Sequence, residues 1–195
     1  MSEVLLDVRH LRTEFITEEK RVTAVEDVSF SIRKQETFGL IGESGCGKSV
    51  PCRSLLQILK APGKVTGGEL LFHGEDLLKL PEARLREIRG RHIGMIFQEP
   101  MTTLNPVETI GRQIMESFKE KMSRKEQEEE AVRLMQMVGI PAARERLGAY
   151  PHQFSGGMRQ RAMIAIALAS RPELLLADEP TTALDVTVQE QIIRL

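Results

Sequence analysis

The chain has 195 residues, 41% of them hydrophobic and 28% charged, with 27 Lys and Arg set against 28 Asp and Glu for a formal net charge of -1. That is the composition of an ordinary globular domain, and so even a balance gives no support to a nucleic-acid binder recognised by bulk charge. The longest apolar run, Ala162 to Ala169, falls far short of the roughly 20 residues that cross a bilayer.

The opening segment Met1-Ser2-Glu3-Val4-Leu5-Leu6-Asp7 has no basic stretch ahead of an apolar core, so no secretory signal is expected. Cys46 and Cys52 match neither a disulfide framework nor a zinc site and point to a reducing compartment. Leu5 to Phe15 reads as a strand. Val28, Phe30 and Ile32 alternate with Ser29 and Ser31 as in a half-buried strand, and Glu69 to His73 has similar character. Together these predict an antiparallel layer in the N-terminal region. Phe38 to Ile41, Ile93 to Phe97 and Leu174 to Ala177 are nearly unbroken apolar runs followed at once by polar residues, the pattern of central strands in a parallel sheet. Ligands of such sheets bind beyond the carboxyl ends of the strands.

Directly after Phe38 to Ile41 comes Gly42-Glu43-Ser44-Gly45-Cys46-Gly47-Lys48-Ser49, which fits G-x-x-x-x-G-K-[ST] and leads into a predicted helix with Leu55, Ile58 and Leu59 on its apolar face. Backbone N–H groups of such a loop close around a β-phosphate, a lysine at Lys48 reaches the β/γ oxygens and the Ser49 hydroxyl suits Mg²⁺. The bland alternative is a Gly-rich turn that fits by chance, which the flanking strand and helix oppose.

Further along, Ile114, Phe118 and Met122 share one helical face, and Ala131, Leu134, Met135 and Val138 another, with Gly139 and Pro141 closing the second helix. Glu128-Glu129-Glu130 reads as a solvated face, and Met115, Met122, Met135 and Met137 as core. Phe154-Ser155-Gly156-Gly157-Met158-Arg159-Gln160-Arg161 opens the apolar helix of Ala162 to Ala169. Ser-Gly-Gly at a helix start is a second anion-binding geometry, or simply a capped helix. If it binds phosphate, the nucleotide it meets is one held by another subunit, because the first loop already serves its own. Leu174 to Ala177 ends in Asp178, suited to hold Mg²⁺ through water, and Glu179, suited to polarise an attacking water.

The order of phosphate loop, Gln98 at a strand end, Ser-Gly-Gly, Asp-Glu and Thr181-Thr182-Ala183-Leu184-Asp185 resembles the ATP-binding subunits of ABC transporters. The stretches Gly42 to Val50, Met95 to Pro106, Tyr150 to Arg161 and Ala177 to Val186 are similar to the oligopeptide/dipeptide importer branch, which also handles nickel and glutathione. The resemblance implies an α/β P-loop NTPase core with a parallel central sheet, an N-terminal antiparallel β layer and an inserted α-helical signature subdomain. It divides the chain into a nucleotide-binding core of residues 1–98 and 171–195 and a helical part of 99–170. ATP and Mg²⁺ are the implied cofactors. The binding residues it implies are Phe15 and Val22 against adenine, Gly42, Glu43, Ser44, Gly45, Cys46, Gly47, Lys48, Ser49 and Val50 around the phosphates, and Ser155, Gly156, Gly157 and Met158 on the opposing subunit's ATP, with Asp185 at that interface. Ser49, Gln98 and Asp178 are the implied metal ligands, and Glu179 and Gln98 the catalytic pair. The implied partners are a second ATPase subunit in a head-to-tail dimer, two membrane permeases contacting Glu99 to Ile114 and, indirectly, an extracytoplasmic solute-binding protein, with no nucleic acid. The implied location is peripheral, on the cytoplasmic face of the inner membrane.

Three departures stand out. Met158 replaces the usual Gln of the signature, Pro51 falls in the first helical turn after the phosphate loop, and Gln35 stands where a turn glycine is usual. Family members also carry, past the Asp185 region, a strand ending in a His that meets the γ-phosphate. Val186 to Leu195 reads as an amphipathic helix with no terminator, so a fragment of a longer reading frame, with little or no hydrolysis of its own, is the expectation here. A soluble ABC-type ATPase of DNA repair or chromosome organisation is the alternative; it expects heptad insertions or zinc modules, which the sequence lacks.

Overall fold

The computed structural model of the chain describes residues 3–42, 47–180 and 189, and it divides into two units, Met1–Arg89 and Gly90–Leu195. The first is built on a four-stranded antiparallel sheet. Its strands β1 (Val4–Ile16), β2 (Arg21–Arg33), β3 (Gly63–Phe72) and the short β4 (Glu75–Asp76) lie in the order β2-β1-β3-β4. β1 takes the centre because its apolar side chains supply the buried face: Leu6, Val8 and Leu11 are at most 1% exposed. In β2, Val28, Phe30 and Ile32 face inward while Ser29 and Ser31 are exposed, as the alternation predicts.

The β1–β3 ladder breaks its register between Arg9 and Arg12. There His10 adopts φ +50°, and its backbone N–H donates to Ser29 Oγ at 2.8 Å. Gly68 sits across from this bulge at φ +96°, where a Cβ would lie 2.5 Å from the Arg9 carbonyl oxygen; only glycine fits that approach. Helix α1 (Ser49–Leu55) is tied to β1 by two buried hydroxyls. Ser54 Oγ donates to the Val50 carbonyl at 2.8 Å, so in its 3.0 Å contact with Thr13 Oγ1 it is the acceptor. A further helix, α2 (Glu82–Arg91), brings Leu85 and Ile88 into the core of this unit.

The second unit places strand β5 (Ile93–Ile96) parallel to β6 (Leu174–Ala177), with Ile93 opposite Leu174 and Ile96 opposite Ala177. Around them pack α3 (Pro100–Thr103), α4 (Ile110–Glu116), α5 (Arg124–Met137) and α6 (Gly156–Ala169). α6 is the central helix: Ala162, Met163, Ile164, Ala165, Ala167 and Ala169 are all buried, which is why its sequence is apolar on nearly every side. Ile110, Ile114, Ala131 and Met135 of the other helices complete this core with no exposed surface. α5 opens on a capping box between Ser123 and Glu126. It closes as predicted at Gly139, with Gly139 N–H donating to Gln136 and Ile140 N–H to Met135.

Four sequence expectations require correction. Phe38 to Ile41 is not a strand: among the described residues it joins no ladder, and Phe38, Leu40 and Ile41 are 41%, 41% and 95% exposed. An apolar run supplies the faces of a strand but not the hydrogen-bonding neighbour that makes it one. Helix α1 stops before Ile58 and Leu59, because Gln57 turns left-handed at φ +50° and closes a Schellman motif, Gln57 N–H to Ser54 and Ile58 N–H to Arg53. Helix α4 stops before Phe118 and Met122, as Ser117 Oγ returns to the Gln113 carbonyl and the last amides bond three residues back. Met137 is 38% exposed at the end of α5 instead of in the core. Gln35 does occupy the left-handed turn position inferred for it, at φ +61°.

Candidate functional site

In the first unit, the described ends of the phosphate loop are joined by a side chain. Lys48 Nζ donates to the carbonyl of Gly42 at 2.7 Å. Gly47 has φ +88°, a conformation that favours glycine, and a Cβ there would come 3.1 Å from the Ala24 carbonyl of β2, a tight approach. The Val50 amide closes the turn onto the Gly47 carbonyl at 2.9 Å, and Ser49 is the first residue of α1. Pro51 is the third residue of that helix and buried; in the first turn its missing N–H takes no bond from the ladder. The sequence departure at Pro51 therefore leaves the helix start intact. Glu43, Ser44, Gly45 and Cys46 lie outside the described residues.

Phe15 and Val22 are register partners across β1 and β2; Phe15 is half-buried and Val22 is 43% exposed. Phe15 also faces Gly63 of β3, where a Cβ would stand 2.9 Å from the ring.

In the second unit, the parallel register brings the two strand ends level. Gln98 follows Ile96 by the same offset at which Glu179 follows its partner Ala177, and Gln98 Nε2 donates to Glu179 Oε2 at 2.9 Å. Asp178, 4% exposed, is fixed by its own amide donating to the Ile96 carbonyl at 2.9 Å. Glu179 stands at φ +48°, a conformation that costs a non-glycine residue about 1 kcal/mol or more. Gln98 and the two carboxylates are thus gathered at one end of the β5–β6 pair, as in sheets that bind ligands beyond their carboxyl edge. Among the described residues no three His, Cys, Asp or Glu side chains cluster as a metal cage. A magnesium ion suits such a sparse set, since it keeps several waters and takes its remaining oxygens from substrate phosphates. Asp185 lies outside the described residues.

Ser155 is the N-cap of α6, its Oγ accepting from the Met158 amide at 3.3 Å. Ser155 and Gly156 are exposed, and a Cβ at Gly156 would meet nothing within 4 Å, so the first amides of a well-formed helix face open space. Arg159 Nε donates to the Pro151 carbonyl at 2.8 Å and locks the preceding 3₁₀ turn, Pro151–Gln153, onto this start. The segment between α3 and α4 is organised by the Gln113 amide, which accepts from the Asn105 N–H and donates to the Asn105 and Glu108 carbonyls. Within it Val107 is 77% exposed.

Two features were not anticipated from the sequence. One is the direct Gln98–Glu179 contact, for which the equal offset of the two residues from the apolar runs is the signal. The other is Gln160, wholly buried in α6, whose Nε2 donates to the Pro180 carbonyl at 2.7 Å. Its position with Met163, Ile164 and Ala167 on one helical stripe marks it as a polar residue in a core slot.

A family model described as ABC transporter matches residues 25–182. The chain is 53% identical to a probable peptide ABC transporter ATP-binding protein of Sinorhizobium fredii, spanning 100% of this chain and 59% of that protein. It is 52% identical to the oligopeptide transport ATP-binding protein OppD of Escherichia coli, spanning 100% of this chain and 58% of that one. The chain therefore spans under two thirds of the length of these relatives. Among solved structures, the dimeric post-hydrolysis state of an ATP-binding cassette bound to ADP and phosphate superposes with a TM-score of 0.86 at 28% identity, covering 97% of this chain and 80% of that one.

Proposed function

Because the chain belongs to the ABC transporter family, we propose that it is the ATP-binding and hydrolysing part of a subunit that energises import of peptides or related small solutes. The observation that carries the reading is the Gln98–Glu179 hydrogen bond at the level ends of two parallel strands, with Asp178 buried beside it. The likeness to peptide and oligopeptide transport proteins over the whole chain supports the solute class. We assign residues 1–98 and 171–195 to the nucleotide-binding core and 99–170 to the helical signature part.

In this reading Lys48 leaves the Gly42 carbonyl for the β/γ-phosphate oxygens, exchanging a neutral acceptor for a charged one and gaining a stronger hydrogen bond. The amides of Gly47, Lys48 and Ser49, with those of Glu43 to Cys46, cradle the phosphates at the start of α1, and Val50 braces the turn beneath them. Phe15 and Val22 pack against the base. Ser49, Gln98 and Asp178 would hold Mg²⁺, which when bound neutralises the charge on the phosphate oxygens. Glu179 accepts the proton of the attacking water, and the amide of Gln98 keeps its carboxylate from swinging away. Ser155, Gly156, Gly157 and Met158 complete the site of a second ATPase subunit, with Asp185 at that interface. The segment Glu99 to Ile114, with exposed Val107 on a loop braced by Gln113, receives a permease. The subunit then works at the cytoplasmic face of the inner membrane, bound through its partners. Among the described residues no helix is long and apolar enough to cross a membrane.

The test is turnover and binding in the full-length protein. Glu179→Gln should lower kcat by about a hundredfold or more while ATP still binds. A wild type that binds no ATP, or a Glu179→Gln variant with unchanged kcat, overturns the assignment.

A further inference from the structure

Gln160 occupies a slot that a hydrocarbon side chain would fill. It shares the buried stripe of α6 with Met163, Ile164 and Ala167 and is 0% exposed. Its Nε2 donates to the Pro180 carbonyl at 2.7 Å, and this acceptor fixes the orientation of the amide, since only the NH₂ end can donate. Among the described residues its Oε1, also buried, has no hydrogen-bond partner. An unmatched buried oxygen opposes stability, so packing alone favours Met or Leu at this position. What the glutamine adds is its hold on one backbone carbonyl.

That carbonyl belongs to the residue immediately after Glu179. Glu179 is doubly constrained: φ is +48°, and the residue before a proline is normally driven to extended backbone. A backbone in so sparse a region persists only where its surroundings hold it. On the near side, the Asp178 amide is bound to Ile96 at 2.9 Å; on the far side, the described restraint is Gln160 on Pro180. Between these two anchors the Glu179 carboxylate reaches Gln98 at 2.9 Å. The same helix begins at Ser155, one turn and a half upstream of Gln160.

We propose that Gln160 is a positioning residue for ATP hydrolysis: by gripping the Pro180 carbonyl it holds the Glu179 backbone in the conformation that aims its carboxylate, and it joins that carboxylate to the Ser-Gly-Gly start of α6 through one rigid helix. The inference rests on the ATPase reading and adds to it a route by which engagement of α6 by a second subunit's nucleotide bears on the base. Gln160, wholly buried, acts through the Glu179 backbone and not on the reacting atoms.

The full-length protein with Gln160→Met, and Gln160→Leu as the second variant, tests it through steady-state hydrolysis, equilibrium binding of a fluorescent ATP analogue and thermal unfolding. Both replacements fill the slot; they remove the buried Oε1 and also the bond to the Pro180 carbonyl, so the unfolding temperature should stay within a few degrees of wild type. The expected result is a fall in kcat of about tenfold or more with KM and nucleotide affinity within about twofold of wild type. A kcat within about twofold of wild type in a folded variant overturns the inference and leaves the ATPase reading standing. Failure of both variants to fold also overturns it, since the role is then structural. An inactive wild type in the same assay overturns the ATPase reading and this inference with it.

Discussion

Lys48 ties together the two described ends of the proposed phosphate loop. Its ammonium reaches from the start of α1 back to the Gly42 carbonyl, and in the proposed reading it exchanges that acceptor for phosphate oxygens. Lys48→Ala removes both the tie across the loop and the charge-assisted phosphate contact, a loss of about 1.5 to 3 kcal/mol or roughly tenfold to a hundredfold in affinity. Titration of wild type and variant with Mg-ATP measures it, and equal affinities would refute the role. At this scale the placement of Gln98 and Glu179 was legible, because each follows the end of an apolar stretch that forms a strand; the role of Gln98 came from the family resemblance. Gln160 was not, because nothing in the string of letters tells whether a polar residue on a buried stripe has found a carbonyl. Nor do letters show that Glu179 turns left-handed, since that depends on anchors from β5 and α6 on either side of it.

Elements begin and end where backbone groups find partners, and this decides which of their boundaries could be foreseen. The end of α5 was visible because glycine occupies its Schellman position, whereas α1 ends on the same motif with Gln57 there, and the continuing apolar residues Ile58 and Leu59 suggested more helix. The acidic run on α5 likewise reads as a solvated face, and Glu128 fits this, but Glu130 is 16% exposed and reaches Arg133 on its own helix and Arg171 beyond α6. Hydrogen bonding to Arg133, and then to Arg171, outweighs burial and brings the Glu130 carboxyl from its ordinary value of 4.5 down to about 2. A depressed carboxylate stabilises the fold above its unfolded value and loses that contribution as pH falls through its folded one. The contribution is therefore complete above pH 4.5 and drains away toward pH 2. The shift corresponds to at most about 3 kcal/mol, which the exposed guanidinium ends screen to about 1 kcal/mol. Glu130→Gln should accordingly be less stable than wild type at neutral pH, with the difference shrinking between pH 4.5 and about 2 in urea unfolding. A difference that stays constant across that range would show that the ion pairs carry none of it.

At the scale of the whole molecule, the antiparallel layer and the helical part were foreseen, while the strand expected at Phe38 to Ile41 was not found, since pairing depends on what lies beside a segment and not on the segment. Quaternary structure follows the same logic of unmet groups. One nucleotide needs one phosphate loop, yet α6 opens on a second candidate set of donors at Ser155 to Gly157, of which Ser155 and Gly156 are exposed and Gly156 has open space around it. A two-fold, head-to-tail pairing uses both sets twice, each subunit's Ser-Gly-Gly closing on the nucleotide held at the other's Lys48. In the proposed reading such a pairing needs ATP at both sites, so slowing hydrolysis should accumulate it. The full-length Glu179→Gln variant is expected to sediment as a dimer with Mg-ATP and as a monomer with ADP, alone or mixed with a related subunit. Adding Gly156→Asp sets a carboxylate where the partner's phosphate must lie, and like-charge repulsion should cost that dimer while ATP binding at Lys48 stays within about twofold. A Glu179→Gln protein that stays monomeric with ATP at every concentration and with every related subunit would remove the head-to-tail arrangement. A dimer that survives Gly156→Asp would show that the pairing uses some surface other than the start of α6.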